Sequence, residues 1–157
     1  MVYIIHGEIN QGKTTRIQSL YRELNRGDGF ISKKIFKHLV FCGYEATRLS
    51  TGESTVQSLK SNLFPENRIP FYICGSFSFF RESFIFTASI IDDIIIKGID
   101  PVYIDEIGPL ELQGKGHYEC FQKIAHSGRT VYCTARNSCL EKIISGFGLK
   151  NYSLIRL

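Results

Sequence analysis

Residues 7–14 read Gly7-Glu8-Ile9-Asn10-Gln11-Gly12-Lys13-Thr14, and this segment fits the pattern Gly-x-x-x-x-Gly-Lys-Ser/Thr at every defined position. An apolar run that contains β-branched residues, 2–6, precedes the segment and predicts a buried strand. Apolar residues recur at helical spacing over 14–25, so a helix is predicted after it. The pattern therefore lies between a strand and a helix, which is the context that a phosphate-binding loop requires. We interpret residues 7–14 as a loop that binds the phosphates of a nucleotide.

The residue types of this loop suit the chemistry of phosphate binding. Gly7 and Gly12 allow the backbone to turn tightly, so that successive N–H groups point at phosphate oxygens. The helix that begins near Lys13 contributes the positive end of its dipole, and the Lys13 ammonium is expected at the β- and γ-phosphates. The hydroxyl of Thr14 is expected to coordinate Mg²⁺, which prefers oxygen ligands. The predicted nucleotide-binding residues are Gly7, Glu8, Ile9, Asn10, Gln11, Gly12, Lys13, Thr14 and Thr15.

A second motif follows a predicted strand at residues 102–104, where two acids, Asp105 and Glu106, stand side by side. An aspartate at such a strand end can hold Mg²⁺, so we assign Asp105 to the metal. We assign Glu106 the role of the general base that accepts a proton from the attacking water. Because successive strand residues point to opposite faces, both acids can serve one site only if the strand ends there and the chain turns. Gly108 and Pro109 favour that turn. The alternative is that the two acids belong to a plain polar turn, and it is less favoured because the chain also contains a phosphate-binding loop.

Strands and helices alternate along most of the chain. Further strands are predicted at residues 69–74, 130–133 and 152–156, and further helices at residues 77–97, 118–126 and 138–145. Residues 33–63 are compatible with a hairpin or with an insertion. The alternation predicts a single α/β domain over residues 1–157, with a mainly parallel sheet covered by helices on both faces. Ligands bind such sheets at the carboxyl ends of the strands, which is where both motifs lie.

The composition is that of an ordered globular protein, with 43% hydrophobic and 22% charged residues. No apolar stretch reaches the roughly 18 residues of a membrane span, and the nearest candidate, 83–96, is interrupted by Asp92 and Asp93. We expect no leader peptide, because the chain starts without a basic segment or a small-residue cleavage site. The five cysteines form no Cys-x-x-Cys pair, so we expect reduced thiols, no zinc site and a cytoplasmic location.

The net charge of +4 is mild. It suits a binder of anionic small molecules and gives little reason to expect nucleic acid as a partner. The clearest basic run consists of Lys33, Lys34, Lys37 and His38. We interpret this run as a solvated loop in preference to a phosphate or partner contact.

Several residues are weaker candidates for the site. Arg136 follows the strand at 130–133, and we assign it as the cation that neutralises charge on the γ-phosphate, with Thr134 as a polar sensor beside it. Arg48, Arg81 and Glu111 carry less weight, and Glu111 is also compatible with a solvent-facing position. A cluster of aromatic residues is predicted to pack in the core rather than to stack on a base; its members are Phe77, Phe79, Phe80, Phe84 and Phe86.

The segment Ile104-Asp105-Glu106-Ile107-Gly108-Pro109-Leu110-Glu111-Leu112 resembles a family signature. It is similar to the sequence Asp-Glu-Ile-Gly-x-Met-Glu-Leu of the thermophilic, or cancer-related, nucleoside-triphosphatase family, and only Leu110 differs by replacing the methionine. Residues 27–32, 43–52 and 73–77 look like further family segments in the same order. The resemblance spans about residues 1–135 and is sharpest at 7–15 and 104–112.

This resemblance implies a RecA-like P-loop fold and Mg²⁺-dependent hydrolysis of ATP, GTP and other nucleoside triphosphates. It supports the assignments already made for the phosphate-binding loop, for the metal ligand Asp105 and for the base Glu106. Residues 33–63 depart from the family pattern, which leaves recognition of the nucleotide base open.

The sequence is compatible with three functions, all of which would use the phosphate-binding loop. A nucleoside triphosphatase is favoured, because an acid pair directly on the metal strand favours water as the nucleophile. A small-molecule or nucleoside kinase would carry an arginine-rich lid segment and an acceptor pocket, and neither is visible in the sequence. A nucleotide-dependent switch or assembly factor would use slow hydrolysis to time a partner interaction.

Overall fold

The computed structural model describes residues 1–157 and contains nine strands and four α-helices. The strands are β1 Val2–Gly7, β2 Asp28–Lys37, β3 Val40–Arg48, β4 Ser54–Lys60, β5 Tyr72–Cys74, β6 Phe77–Phe79, β7 Val102–Ile107, β8 Val131–Arg136 and β9 Tyr152–Arg156. The helices are α1 Lys13–Leu24, α2 Arg81–Lys97, α3 Tyr118–Ala125 and α4 Leu140–Gly146. None of the helices is long and apolar enough to cross a membrane.

All nine strands form one sheet in the order β5-β6-β4-β3-β2-β7-β8-β1-β9. The pairings β2–β7, β7–β8, β8–β1 and β1–β9 are parallel. The pairings β2–β3, β3–β4, β4–β6 and β6–β5 are antiparallel, so the sheet is mixed where the sequence predicted a mainly parallel one. The antiparallel half arises because the chain from β2 to β6 contains no α-helix, and parallel neighbours need a long crossover connection.

Helices cover both faces of the sheet, which confirms the three-layer α/β architecture. The period of two in β1 sends Ile4 to one core and Ile5 to the other. The smaller core joins α1 to the sheet through Ile17 and Leu20. The larger core lies beneath α2, α3 and α4, and its helical members are Ile90, Ile91, Ile94, Phe121, Ile124 and Ile143.

The helix predicted over residues 77–97 begins later, at Arg81. Residues Phe77–Phe79 form β6, which pairs with β5 so that Cys74 lies opposite Phe77. The two residues between them, Gly75 and Ser76, close a hairpin, and Gly75 has a φ of 58°. The hairpin also shortens the strand predicted at 69–74 to Tyr72–Cys74.

Candidate active site

The loop between β1 and α1 has a conformation that its glycines permit. Gly12 has a φ of 85°, a left-handed value that a side chain would strain, and α1 begins at the next residue. At Gly7 an added Cβ would lie 2.7 Å from Gln11 Oε1. That same oxygen accepts a hydrogen bond of 2.6 Å from the Glu8 N–H. The loop is therefore held both by backbone geometry and by a contact between its own residues.

Lys13 is the first residue of α1, and its side chain reaches back over the loop. Its Nζ donates to the carbonyl oxygens of Gly7 and Glu8, at 3.1 and 2.5 Å. Burial lowers the pKa of Lys13, while the negative charge of Glu106 acts in the opposite direction. The ammonium thus lies between the loop and the acids of β7, where the terminal phosphates of a nucleotide are expected.

Asp105 is a buried carboxylate with three hydrogen-bond donors. Thr14 donates its hydroxyl to Asp105 Oδ2 at 2.7 Å, and Thr134 donates to Oδ1 at 2.6 Å. The backbone N–H of Ser32 donates to Oδ2 at 3.1 Å. Burial raises the pKa of Asp105, and the two hydroxyl donors act against that rise. Three elements other than its own strand, α1, β2 and β8, therefore fix this carboxylate.

The Thr14–Asp105 pair also allows a test of whether a metal ion suits the site. Their oxygens are in direct contact at the mouth of the loop, and hydroxyl and carboxylate oxygens are ligands that Mg²⁺ accepts. Mg²⁺ is typically bound by one or two protein oxygens together with waters and substrate phosphates. The donor set fits that description, and Thr14 and Asp105 are the residues that would hold the ion.

Glu106 lies on the same side of the sheet as Asp105 because β7 contains a β-bulge. Ile104 pairs with Cys133 and Ile107 pairs with Ala135, so two residues of β7 face one residue of β8. Glu106 has a φ of 66°, and its N–H donates to the Thr134 hydroxyl at 2.7 Å. The sequence predicted that the strand would end at Asp105, whereas β7 continues to Ile107 and the bulge brings the two acids together.

Arg136 at the end of β8 contacts Glu106. Its Nη2 donates to Glu106 Oε1 at 3.0 Å. Burial alone would lower the pKa of Arg136, but the hydrogen bond and charge of Glu106 outweigh burial and raise it. The structure thus joins the predicted catalytic cation to the predicted catalytic base.

These residues surround a cavity of about 400 Å³ at the carboxyl ends of the parallel strands. Of the predicted nucleotide-binding residues, all except Gly7, Glu8 and Gln11 line it, and Asp105, Glu106, Thr134 and Arg136 do so too.

Four lining residues come from the antiparallel half and are absent from the predicted set: Ser32, Lys33, Lys34 and Tyr44. The basic run was predicted to form a solvated loop, but Lys33 and Lys34 line this cavity, and Lys34 Nζ donates to Asn10 Oδ1 at 2.8 Å. The signal that could have identified them is their position just after the apolar pair Phe30 and Ile31.

The weaker candidates lie elsewhere. Arg48 forms ion pairs with Asp28 at 2.7 Å and with Asp93 at 2.5 Å, which join β3 to β2 and α2 away from the loop. Arg81 begins α2 and lies over the ring of Phe71. Neither arginine lines the cavity. Of the aromatic cluster, Phe80 and Phe84 are buried, as expected for core packing, whereas Phe77, Phe79 and Phe86 are half-buried.

Glu111 is buried and braces the turn after the acid pair. Its two carboxylate oxygens each accept a backbone hydrogen bond of 2.8 Å, from Gly108 and from His117. Burial raises the pKa of Glu111 from 4.5 to about 7, and the hydrogen bonds oppose the rise. This residue therefore faces the protein interior, whereas the sequence left a solvent-facing position open.

A buried chain of hydrogen bonds runs from Ser32 on β2, whose N–H contacts Asp105, to Thr87 on α2. Ser32 Oγ donates to Gln57 Oε1 at 3.0 Å, and Gln57 Nε2 is 3.1 Å from His117 Nε2. Thr87 donates its hydroxyl to Phe84 O, so it accepts from His117 Nδ1 at 3.2 Å. Both ring nitrogens are then satisfied in a neutral imidazole, in agreement with burial, which lowers the pKa of His117 from 6.5 to about 4. Neither Gln57 nor His117 was predicted from the sequence to be a functional residue.

The chain matches one protein family in sequence and resembles two solved structures in fold. The family model described as NTPase matches residues 2–156. THEP1 from the hyperthermophile Aquifex aeolicus has a similar structure, with a TM-score of 0.79 and 22% identity over 100% of this chain and 90% of that one. A human cancer-related nucleoside triphosphatase has a TM-score of 0.69 and 17% identity over 99% of this chain and 87% of its own. No curated protein sequence matches the chain significantly. At these identities the two solved structures establish a shared fold.

Proposed function

The chain belongs to the NTPase family, and from this premise we propose that it hydrolyses the γ-phosphate of nucleoside triphosphates such as ATP and GTP in a Mg²⁺-dependent reaction. The observation that carries the proposal is the bulge in β7. It places Asp105 beside Thr14 and leaves Glu106 in the same cavity with a different partner, Arg136. One acid is then available for the metal and the other for the proton of a water molecule.

The loop and its neighbours supply binding and charge neutralisation. Backbone N–H groups of residues 8–14 and the ammonium of Lys13 would hold the β- and γ-phosphates, and Thr14 and Asp105 would hold Mg²⁺. When bound, Mg²⁺ neutralises negative charge on the phosphate oxygens. Lys34, tied to Asn10 across the cavity mouth, supports an additional contact with phosphate.

Hydrolysis requires a water oxygen to attack the γ-phosphorus while the bond to the bridging oxygen breaks and the nucleoside diphosphate leaves. Glu106 would accept the proton of that water, and Arg136 would stabilise charge on the γ-phosphate. Arg136 would move from the Glu106 carboxylate, 3.0 Å away, towards the phosphate when the nucleotide binds. Thr134 fixes both acids at once, since it contacts the Asp105 carboxylate and the Glu106 N–H.

The variant Glu106→Gln tests this division of roles. Glutamine keeps the size of glutamate but cannot take a proton, so hydrolysis should slow by about 10²-fold or more while Mg-ATP affinity stays nearly unchanged. Single-turnover phosphate release and calorimetry measure the two quantities. Glu119→Gln, at an exposed position on α3, is the matched control and should behave as the wild type.

Two outcomes would contradict the assignment. Wild-type hydrolysis by Glu106→Gln would place the base elsewhere, and loss of nucleotide binding would make Glu106 a metal ligand or a structural acid. A panel of ATP, GTP, CTP and UTP with the wild-type protein would define the base specificity of the reaction.

A further inference from the structure

A second cavity of about 240 Å³ adjoins the first at Glu106. The two cavities share three lining residues, Tyr44, Glu106 and Arg136. Since the first cavity is where we place the nucleotide, the second opens towards the γ-phosphate end of it. A molecule in the second cavity would meet the transferable phosphoryl group at Glu106.

The walls of the second cavity differ from those of the first. Three of its lining residues are aromatic, Phe77, Phe79 and Phe84. Others are polar, among them Gln57, Ser58 and His117, and the His117 ring packs against Phe84 with ring centroids 5.1 Å apart. A lining that combines aromatic rings with polar groups suits a small heteroaromatic ligand, which can both stack and form hydrogen bonds.

Ser58 gives independent evidence that a polar ligand belongs there. It is buried, it lines the second cavity, and its hydroxyl has no hydrogen-bond partner in the protein. Buried hydroxyls are almost always paired, so an unpaired one calls for an explanation. The Ser58 side chain is fully enclosed, so it would turn towards the cavity for a ligand hydroxyl or ring nitrogen to supply the missing partner.

The charges of the second cavity favour an uncharged ligand. Its acids are Glu106 and Glu111, and its only lysine or arginine is Arg136, which is already paired with Glu106. A phosphorylated ligand would therefore add its negative charge beside Glu106 and the γ-phosphate, with Arg136 as the one lysine or arginine of the cavity to compensate. The volume is below the range of about 300–1,000 Å³ that is typical of sites for drug-sized ligands, which limits the ligand to roughly nucleoside size.

We propose that the second cavity binds a nucleoside or a similar uncharged heteroaromatic alcohol, and that the protein transfers the γ-phosphoryl group to its hydroxyl. The alcohol oxygen attacks the γ-phosphorus and forms a new O–P bond. The bond from phosphorus to the bridging oxygen breaks, and its electron pair leaves with the nucleoside diphosphate. The alcohol proton goes to Glu106. This proposal rests on the proposed nucleotide site, because the same loop holds the donor, and hydrolysis is the reaction when water takes the place of the alcohol.

Phosphoryl transfer is measured with ATP that carries a label in the γ-phosphate, in the presence of Mg²⁺. The acceptor probes are adenosine, guanosine, cytidine, thymidine and pyridoxine, and the charged controls are the corresponding nucleoside 5′-monophosphates. At least one uncharged probe should become labelled, and its monophosphate should accept label about tenfold less or worse. Labelling of the monophosphates in preference to the uncharged probes would overturn the proposal.

Cys74 provides a binding measurement that does not depend on turnover. It is half-buried and lines the second cavity, whereas Cys120 is half-buried on α3 and lies outside it. With a non-hydrolysable ATP analogue present, the accepted probe should slow alkylation of Cys74 by N-ethylmaleimide and leave Cys120 unchanged, as read by peptide mass spectrometry. Equal alkylation of Cys74 with and without each probe counts against occupation of the cavity.

A variant at the rim separates this proposal from the proposed hydrolysis. Ser76 is exposed and lines the second cavity only, so Ser76→Trp should reduce label transfer by about tenfold or more while phosphate release without an acceptor stays unchanged. Ser89→Trp, at an exposed position on α2, is the matched control. Phosphate release with no labelled acceptor and no protection of Cys74 would refute the second site and leave the hydrolase intact. Absence of phosphate release from every nucleotide would refute the proposed function itself.

Discussion

Glu111 and His117 are buried neighbours whose pKa values are displaced in opposite directions, and this should appear in the pH dependence of stability. For Glu111 the pKa rises from 4.5 to about 7, so between these values the native state binds more protons than the unfolded state. The free energy of unfolding contributed by Glu111 therefore falls as the pH rises through that window. Each pH unit between the two pKa values corresponds to about 1.4 kcal/mol, which gives a total of about 3 kcal/mol.

His117 acts with the opposite sign over nearly the same window. Its pKa falls from 6.5 to about 4, so the native state binds fewer protons and its contribution to stability grows as the pH rises from about 4 to 6.5. In the wild type the two contributions nearly cancel. Glu111→Gln should remove the falling part and expose a rise of about 3 kcal/mol between pH 4 and 6.5. His117→Gln should do the reverse and expose the fall from about pH 4.5 to 7.

Urea unfolding at a series of pH values measures both profiles. The useful quantity is the difference in unfolding free energy between each variant and the wild type, because contributions from all other groups are common to both. Each variant also loses buried hydrogen bonds, which shifts its whole stability profile by an amount that does not depend on pH, so the slope of the profile is the test. Glu119→Gln, an exposed change, should give a profile parallel to the wild type. A parallel profile for Glu111→Gln would mean that Glu111 titrates normally in the folded protein.

Three further variants probe the proposed nucleotide site. Lys13→Ala should weaken Mg-ATP binding about tenfold to a hundredfold in calorimetry, because it removes a charge-assisted contact worth about 1.5–3 kcal/mol; equal affinity would place Lys13 away from the phosphates. Asp105→Asn should raise the Mg²⁺ concentration needed for half-maximal phosphate release, and turnover that persists in EDTA would exclude the metal assignment. Arg136→Ala should slow single-turnover hydrolysis by about 10²-fold with little change in affinity, and an unchanged rate would leave its contact with Glu106 purely structural.

The loop and its flanking elements were predictable because their information is local. The pattern at residues 7–14 lies in the strand–loop–helix context that it requires, and α1 begins within one residue of its predicted start. The final strand, Tyr152–Arg156, has the predicted bounds as well. The family resemblance drawn from residues 104–112 is confirmed by the family match over residues 2–156.

The antiparallel half was not predictable in the same way, because its pairings join segments by register rather than by a local pattern. β2 begins with five buried residues and then becomes mostly exposed, so its sequence has no single periodicity. Tyr44 reaches the site only because β3 pairs with β2 so that Tyr44 lies opposite Lys34. Nothing near Tyr44 in the sequence marks it as part of a nucleotide cavity.

The placement of the two acids shows how such long-range contacts complete a local motif. β8 lies between β1 and β7, so the loop and the acid strand are separated by two strand spacings, or roughly 10 Å. Thr14 spans that gap from α1, and Thr134 on the intervening strand contacts Asp105 through its hydroxyl hydrogen and Glu106 through its oxygen. The sequence predicted that a turn would bring the acids together, but a turn would have ended the strand pairing of β7 with β8. The bulge keeps that pairing, because the Thr134 hydroxyl accepts the hydrogen bond of the Glu106 N–H, and it thereby lets one strand carry both the proposed metal ligand and the proposed base.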